Sequence, residues 1–220
     1  TGSAFVTGRI LSGGSCTLQG EPCIGNNDTF LVKYDASGVR QWTRVIGLPS
    51  GSVVGQFAAT DPSGNVVITG VTSGNLHGEV ALSGGAAFLI KYDSAGVRQW
   101  TRLSSDASGA ATTFGVGSDA SGKFYVSGTA NGNLDSQTKT GTKDAFIIKY
   151  DNAGNKIWTR LSGVATATTM STHMAVDASG YCFVGGRTNG NLDGQTKTGN
   201  TDSFVIKYDS DGTKQWTRLI

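Results

Sequence analysis

The chain is 220 residues long, enough for one substantial core, and 33 of those residues are glycine, about twice the usual share of ~7%, which points to many turns. Charged residues make up only 15%, yet four Trp, six Tyr and nine Phe supply bulky groups that a disordered chain lacks. A dispersed net charge of +2 argues against nucleic acid or anionic lipid, no apolar stretch approaches the ~20 residues of a membrane helix, and residues 1–8 lack a signal-like pattern, so the segment as it stands is expected to be soluble.

The first distinctive feature along the chain is a Gly-rich loop holding Cys16 and Cys23, whose spacing permits a small disulfide in an oxidising compartment. Two cysteines alone make a weak metal signal, and Cys182, inside the apolar run 181–184, reads as a small buried hydrophobe.

Beyond that loop an internal repeat organises the sequence. Lys-Tyr-Asp begins at Lys33, Lys91, Lys149 and Lys207, always 58 residues apart, and Trp-Thr-Arg follows at Trp42, Trp100, Trp158 and Trp216. Asp-x-Ser-Gly begins at Asp61, Asp119 and Asp177, each time before an apolar run that ends in Gly. The register slips by four residues only between Gly8 and Gly70, where the cysteines sit, so that loop reads as a decoration. The units span about 1–56, 57–114, 115–172 and 173–220 within one domain.

Each unit reads as four short strands: in the third these are Phe124–Ser127, Ala145–Tyr150 and Lys156–Leu161, followed by a strand beginning at His173. The runs 30–32, 88–90, 146–148 and 204–206 are apolar on consecutive residues, so both faces of those strands should be buried. Four-stranded antiparallel sheets buried on both sides and repeated at a fixed period predict an all-β propeller of radially packed blades.

Seven Asp-x-x-Gly turns join neighbouring strands, with the carboxylate expected to accept backbone N–H groups and the glycine to take the left-handed conformation. They are structural residues in this reading, because the oxygen spacing of a calcium loop ending in glutamate is missing. Trp42, Trp100, Trp158 and Trp216 share a strand face with the Arg two positions on, which suits a wedge between blades with the guanidinium reaching solvent or a carbonyl. Lys33, Lys91, Lys149 and Lys207 read as snorkelling or edge lysines.

These motifs, with Asp144-Ala145-Phe146 at a strand start, resemble the bacterial beta-propeller repeats called SBBP repeats, over essentially the whole chain. The resemblance implies a secreted, periplasmic or surface-exposed bacterial protein, lipoproteins included, and no activity common to the family. By analogy with other propellers, the Ala-Val-Asp strand should be innermost and the Trp-Thr-Arg strand outermost. The chain would then hold 15 strands, and the first blade would lack its inner strand. A fragment of a larger ring is expected, or a first blade completed by another chain or by unseen residues.

Ligands of propellers meet the loops at the ring faces, and three long connections stand out: 70–86, 128–144 and 186–202. The last two are nearly identical, and Asn131, Asn133 and Asp135 together with Asn189, Asn191 and Asp193 are the candidate oxygens for a shallow glycan or calcium site; capping within a compact loop accounts for the same residues. His77 replaces the aspartate in the second unit, and neither it nor His173 lies in a catalytic motif. The expectation is a non-catalytic extracytoplasmic scaffold without cofactor or metal that presents loops to a protein partner, with a lectin-like glycan binder as the alternative and a hydrolase or lyase behind it.

Overall fold

The computed structural model describes residues 2–11, 16–82, 85–105 and 110–220, and these form β-sheets joined by turns. The first sheet holds β1 (Ala4–Leu11), β4 (Asn27–Tyr34) and β5 (Arg40–Ile46), while β2 (Thr17–Leu18) and β3 (Glu21–Pro22) make a small hairpin inside the β1–β4 connection. The second sheet is β6 (Val53–Thr60), β7 (Val66–Thr72), β8 (Ala86–Tyr92) and β9 (Arg98–Ser104). The third is β10 (Ala111–Ser118), β11 (Phe124–Ala130), β12 (Asp144–Tyr150) and β13 (Lys156–Ser162). The fourth is β14 (Thr169–Val176), β15 (Cys182–Thr188), β16 (Asp202–Tyr208) and β17 (Lys214–Leu219).

Every neighbouring pair is antiparallel, the register recurs from sheet to sheet, and the first sheet begins on the strand equivalent to β7, so it carries no inner strand among the described residues. The result is an all-β, propeller-like succession of sheets. One expected boundary is corrected: the fourth inner strand starts at Thr169, and His173 lies in its middle, at the bulge where the pairing skips from Ser171 to His173. The equivalent bulges fall between Gly55 and Phe57 and between Thr113 and Gly115; each inserts one residue into the inner strand and increases its local twist.

Consecutive sheets pack face to face, and a separate apolar core fills each gap. Leu31, Ile46, Ile68, Phe88 and Tyr92 lie between the first and second sheets; Val67, Leu89, Trp100, Phe124 and Ile148 between the second and third; Tyr125, Ile147, Val184, Phe204 and Ile206 between the third and fourth. This explains why strands β8 and β12 are buried at every position: one side of each faces the sheet before, the other the sheet after.

The tandem motifs are what join one sheet to the next. In each Asp-x-x-Gly turn the aspartate Oδ1 accepts backbone N–H groups, as Asp93 does from Ala95 at 3.0 Å and Val97 at 2.9 Å, and the glycine sits at positive φ, +80° at Gly96. The turn between β8 and β9 is gripped by the first sheet: Lys33 Nζ and Trp42 Nε1 both donate to the carbonyl of Ser94, at 2.7 and 3.1 Å, and Arg44 Nε donates to the carbonyl of Gly96 at 2.7 Å. The second sheet grips the third in the same way. Lys91 and Trp100 Nε1 donate to the Asn152 carbonyl, at 3.4 and 3.0 Å, and Arg102 Nε to that of Gly154 at 2.7 Å. The third grips the fourth through Lys149, Trp158 and Arg160 on Ser210 and Gly212, at 2.6, 3.2 and 2.8 Å.

The lysines are therefore not snorkelling or edge residues in the middle sheets. Lys91 and Lys149 are only 4% exposed, lie over the rings of Phe124 and Tyr125, and reach forward across the gap; Lys91 also pairs with buried Asp61 at 3.3 Å. Burial lowers the Lys149 ammonium below its ordinary range, with Lys123 adding to the effect. The tyrosine beside each lysine points the other way: Tyr150 and Tyr208 share hydrogen bonds with Ser104 and Ser162 of the preceding sheet at 2.9 and 2.7 Å. Lysine forward, tyrosine back and aspartate in the turn follow from the alternation of side chains along a strand.

Trp100 is 9% exposed between two sheets and Trp216, on the last strand, is 36% exposed. Trp100→Ala should therefore lower stability by ~3–5 kcal/mol, the usual cost of deleting a packed indole, and Trp216→Ala by less than ~1 kcal/mol. Urea unfolding curves of the two variants check the contrast.

Candidate functional site

The candidate loops are built as latches. In the third sheet Leu134 is fully buried and exchanges backbone hydrogen bonds with Gln137, 3.0 and 2.8 Å, which forces Asp135 to a positive φ of +50°. The Asp135 carboxylate accepts from Thr159 Oγ1 at 2.6 Å and pairs with Lys156, both on β13. Asn133 Oδ1 accepts from the N–H of Lys139 at 3.0 Å, while Asn131 is exposed and its backbone N–H donates to Ala110 at 3.0 Å. The fourth sheet repeats this: Asn191 Oδ1 accepts from Lys197 at 3.1 Å, and the Asp193 carboxylate from Lys214 Nζ at 2.7 Å and Thr217 Oγ1 at 2.5 Å. Asn189 Oδ1 accepts from the N–H of Thr168 at 2.7 Å. The structure thus assigns five of the six candidate residues an internal hydrogen-bonding role, each set on its own sheet.

The same latch is present in all four units with different side chains. In the second, His77 at φ +53° shares a 2.8 Å hydrogen bond between Nδ1 and Thr101 Oγ1. In the first, Gln19 at φ +54° accepts from Thr43 Oγ1 at 2.6 Å, and the β2–β3 hairpin that carries it is closed by the Cys16–Cys23 disulfide, Cα–Cα 5.2 Å. Gln19, His77, Asp135 and Asp193 are spaced by 58 residues, a register that the four-residue slip hides. Part of the second connection, 83–84, lies outside the described residues.

A set of aspartates missed as anchors holds the other end of these loops. Asp28, Asp144 and Asp202 are buried at the starts of β4, β12 and β16, and each carboxylate accepts two successive backbone N–H groups. For Asp144 the donors are Thr140 and Gly141, both at 2.8 Å; for Asp202 they are Thr198 and Gly199 at 2.7 and 2.8 Å, and they hold its carboxyl below the usual carboxylate range. The recurring Asp three or four residues after a Gly or Thr was the available signal.

Elsewhere, ionisable groups are tied to structure. Burial pushes the Asp119 carboxyl up, but hydrogen bonds from Ser121, the Lys123 N–H and Tyr125 prevail and hold it below its ordinary range; burial and that carboxylate raise the Tyr125 hydroxyl. Asp61 and Asp177 cap their turns in the same manner as Asp119, and burial pushes the Cys182 thiol up to about 12. A hollow of about 320 Å³ between the first two sheets is lined by Ser3, Phe5, Lys33, Asp61, Ser63 and Ser94, and its charged walls already have partners: Lys33 with Ser94, Asp61 with Lys91. Among the described residues no three His, Cys, Asp or Glu side chains gather in a metal-binding group.

Two outcomes follow. Asp144→Ala should lower stability by ~1.5–3 kcal/mol by orphaning two N–H groups, measured by urea unfolding. Burial, with Arg98 nearby, lowers the His77 imidazole from 6.5 to about 4, so the unfolded chain binds a proton that the folded chain excludes between those values. Stability from this group is complete above pH 6.5 and falls as pH drops toward about 4; in His77→Gln, which copies Gln19, this part of the acid sensitivity disappears from the pH series of urea midpoints.

Comparison with known proteins places these features. The family described as SBBP: Beta-propeller repeat matches residues 157–193, from β13 through the Asp177 turn to the latch aspartate Asp193. Regulatory protein FlaEY of Caulobacter vibrioides is 27% identical over 219 residues, 86% of this chain, and an uncharacterized WD repeat-containing protein of Acanthamoeba polyphaga mimivirus is 41% identical over 54 residues, 24% of it. The chain spans 22% and 4% of those two proteins' lengths. Among solved structures, a protein of unknown function from Bacteroides caccae aligns over 97% of this chain and 73% of its own, at 11% identity and a TM-score of 0.45. A polysaccharide lyase, PL25 ulvan lyase, aligns over 87% and 50% at 9% identity and 0.40. The segment 157–193 thus matches the SBBP beta-propeller repeat, and its Trp-Thr-Arg, Asp-x-x-Gly and loop motifs recur through the rest of the chain.

Proposed function

We propose that the chain is a non-catalytic part of a β-propeller whose loops present a rigid surface to a protein partner outside the cytoplasm. The observation that carries this reading is the latch: four units hold the same loop at the same place, and the polar groups that a catalytic or metal site needs are used inside the loop. A scaffold of this kind offers a partner preorganised loops with little ordering entropy left to lose on binding. The Cys16–Cys23 disulfide supports an oxidising compartment, in keeping with what the SBBP resemblance implies. Similarity to a protein named as regulatory is in keeping with partner binding.

A photo-crosslinking residue placed at the exposed loop positions Gln137 and Thr196, in cells that make the protein, should give a recurrent protein adduct that excess unlabelled chain competes away. No adduct, or adducts that resist competition, would overturn the reading.

A further inference from the structure

The joint between the second and third sheets departs from the joints on either side of it at two positions. The second residue of the gripped turn is Ser94 at the first joint and Ser210 at the third, but Asn152 at the second. In the third sheet the Tyr125 hydroxyl donates to Asp119 Oδ2 at 3.0 Å. The second sheet has Val67 where Tyr125 stands, and the corresponding oxygen, Asp61 Oδ2, faces Lys91 Nζ at 3.3 Å and accepts from Asn65 Nδ2 at 2.8 Å.

These two exchanges bring an amine, a carboxamide and a carboxylate together. Lys91 Nζ touches the side-chain Oδ1 of Asn152, one bond from the carboxamide carbon, while it pairs with Asp61. The Lys91 and Asp61 side chains are 5% and 2% exposed, and Nζ lies 5.2 Å from the centre of the Phe124 ring. The turn is fixed in front of the amine: Trp100 Nε1 donates to the Asn152 carbonyl at 3.0 Å and Arg102 Nε to that of Gly154 at 2.7 Å. Asn152 itself is exposed, so a small leaving group has a path to solvent. Amines attack amides slowly in water because a proton masks the lone pair and the partners drift apart. A held contact removes the second obstacle and a buried carboxylate beside the amine the first.

We propose that the chain itself joins Lys91 to Asn152 in an isopeptide bond that ties the second sheet to the third. Asp61 takes one proton from the Lys91 ammonium, and the freed electron pair on Nζ bonds to Cγ of Asn152. The Cγ–Nδ2 bond breaks as that nitrogen takes a second proton from Nζ and leaves as ammonia, which carries the Asp61 proton away as ammonium. Nothing is oxidised or reduced, and an amide replaces an amide. Lys33 and Lys149 make the same reach but meet the carbonyls of Ser94 and Ser210, whose side chains hold no carboxamide, so the bond is confined to one joint. This inference goes beyond partner binding and holds whether or not the loops are recognised by another protein.

Intact-mass measurement and peptide mapping of the purified full chain, with the Cys16–Cys23 disulfide reduced, test it. The wild type should weigh about 17 Da less than its sequence requires, the ammonia lost in the transfer. Digestion should release the peptides holding Lys91 and Asn152 as one branched species, which tandem fragmentation locates at those two residues. Asn152→Ser copies the other two turns, and Lys91→Arg keeps the charge but offers no amine; both should recover the full mass and yield separate peptides. Asp61→Asn, which keeps an oxygen for the turn but takes up no proton, should leave most of the chain unlinked. A wild type of full mass, two peptides that separate, or a mass deficit that Asn152→Ser retains would each overturn the proposal, and undiminished linkage in Asp61→Asn would overturn the part given to Asp61. The wild-type peptide map decides whether or not every variant folds.

Discussion

Two backbone carbonyls in a four-residue turn hold this structure in order. A β-turn at a sheet corner leaves carbonyl groups pointing outward, and when the preceding sheet buries that corner those groups need donors or they destabilise the interface. The preceding sheet supplies them from the ends of long side chains: an ammonium and an indole N–H on one carbonyl, a guanidinium on the other. Each donor rests on an aromatic surface, the lysines over Phe5, Phe124 and Tyr125 and the arginines over their own tryptophans, so apolar burial and polar satisfaction are met by one set of atoms.

The loops depend on this order because they are tied to the strands that make it. The threonine between Trp and Arg faces away from both, toward the latch residue; thus the Trp-Thr-Arg strand fixes the next sheet with two side chains and its own loop with the third. At the loop's other end the buried aspartates clamp consecutive N–H groups. A long connection between neighbouring strands is thereby pinned at both ends, which is what makes a surface loop usable as a recognition element.

Much of this was legible in the sequence, for reasons that can be named. The period, the strand pattern and the left-handed glycines of the turns follow from local chemistry or from counting. Lys91 and Lys149 were misread because a lysine between apolar neighbours looks the same whether it escapes to water or crosses to another sheet; only the partner, 61 residues further on, tells them apart. The latch was hidden for two reasons. Gln19, His77 and Asp135 share no chemistry beyond a hydrogen-bond acceptor, and four extra residues between Gly8 and Gln19 put the first member out of register when counted from the strand glycine. Asp28, Asp144 and Asp202 were visible as a motif, yet their burial depends on the fold of the loop in front of them.

Because every period carries one hook and one eye, the joints are indifferent to how many periods there are. Recombination within the gene that removes or duplicates 58 residues leaves each surviving hook facing an eye of the same make, wherever the crossover falls. Copy number in such a chain is free to drift without a matching change at any joint, and the four-residue slip of register between Gly8 and Gln19 lies away from the joints.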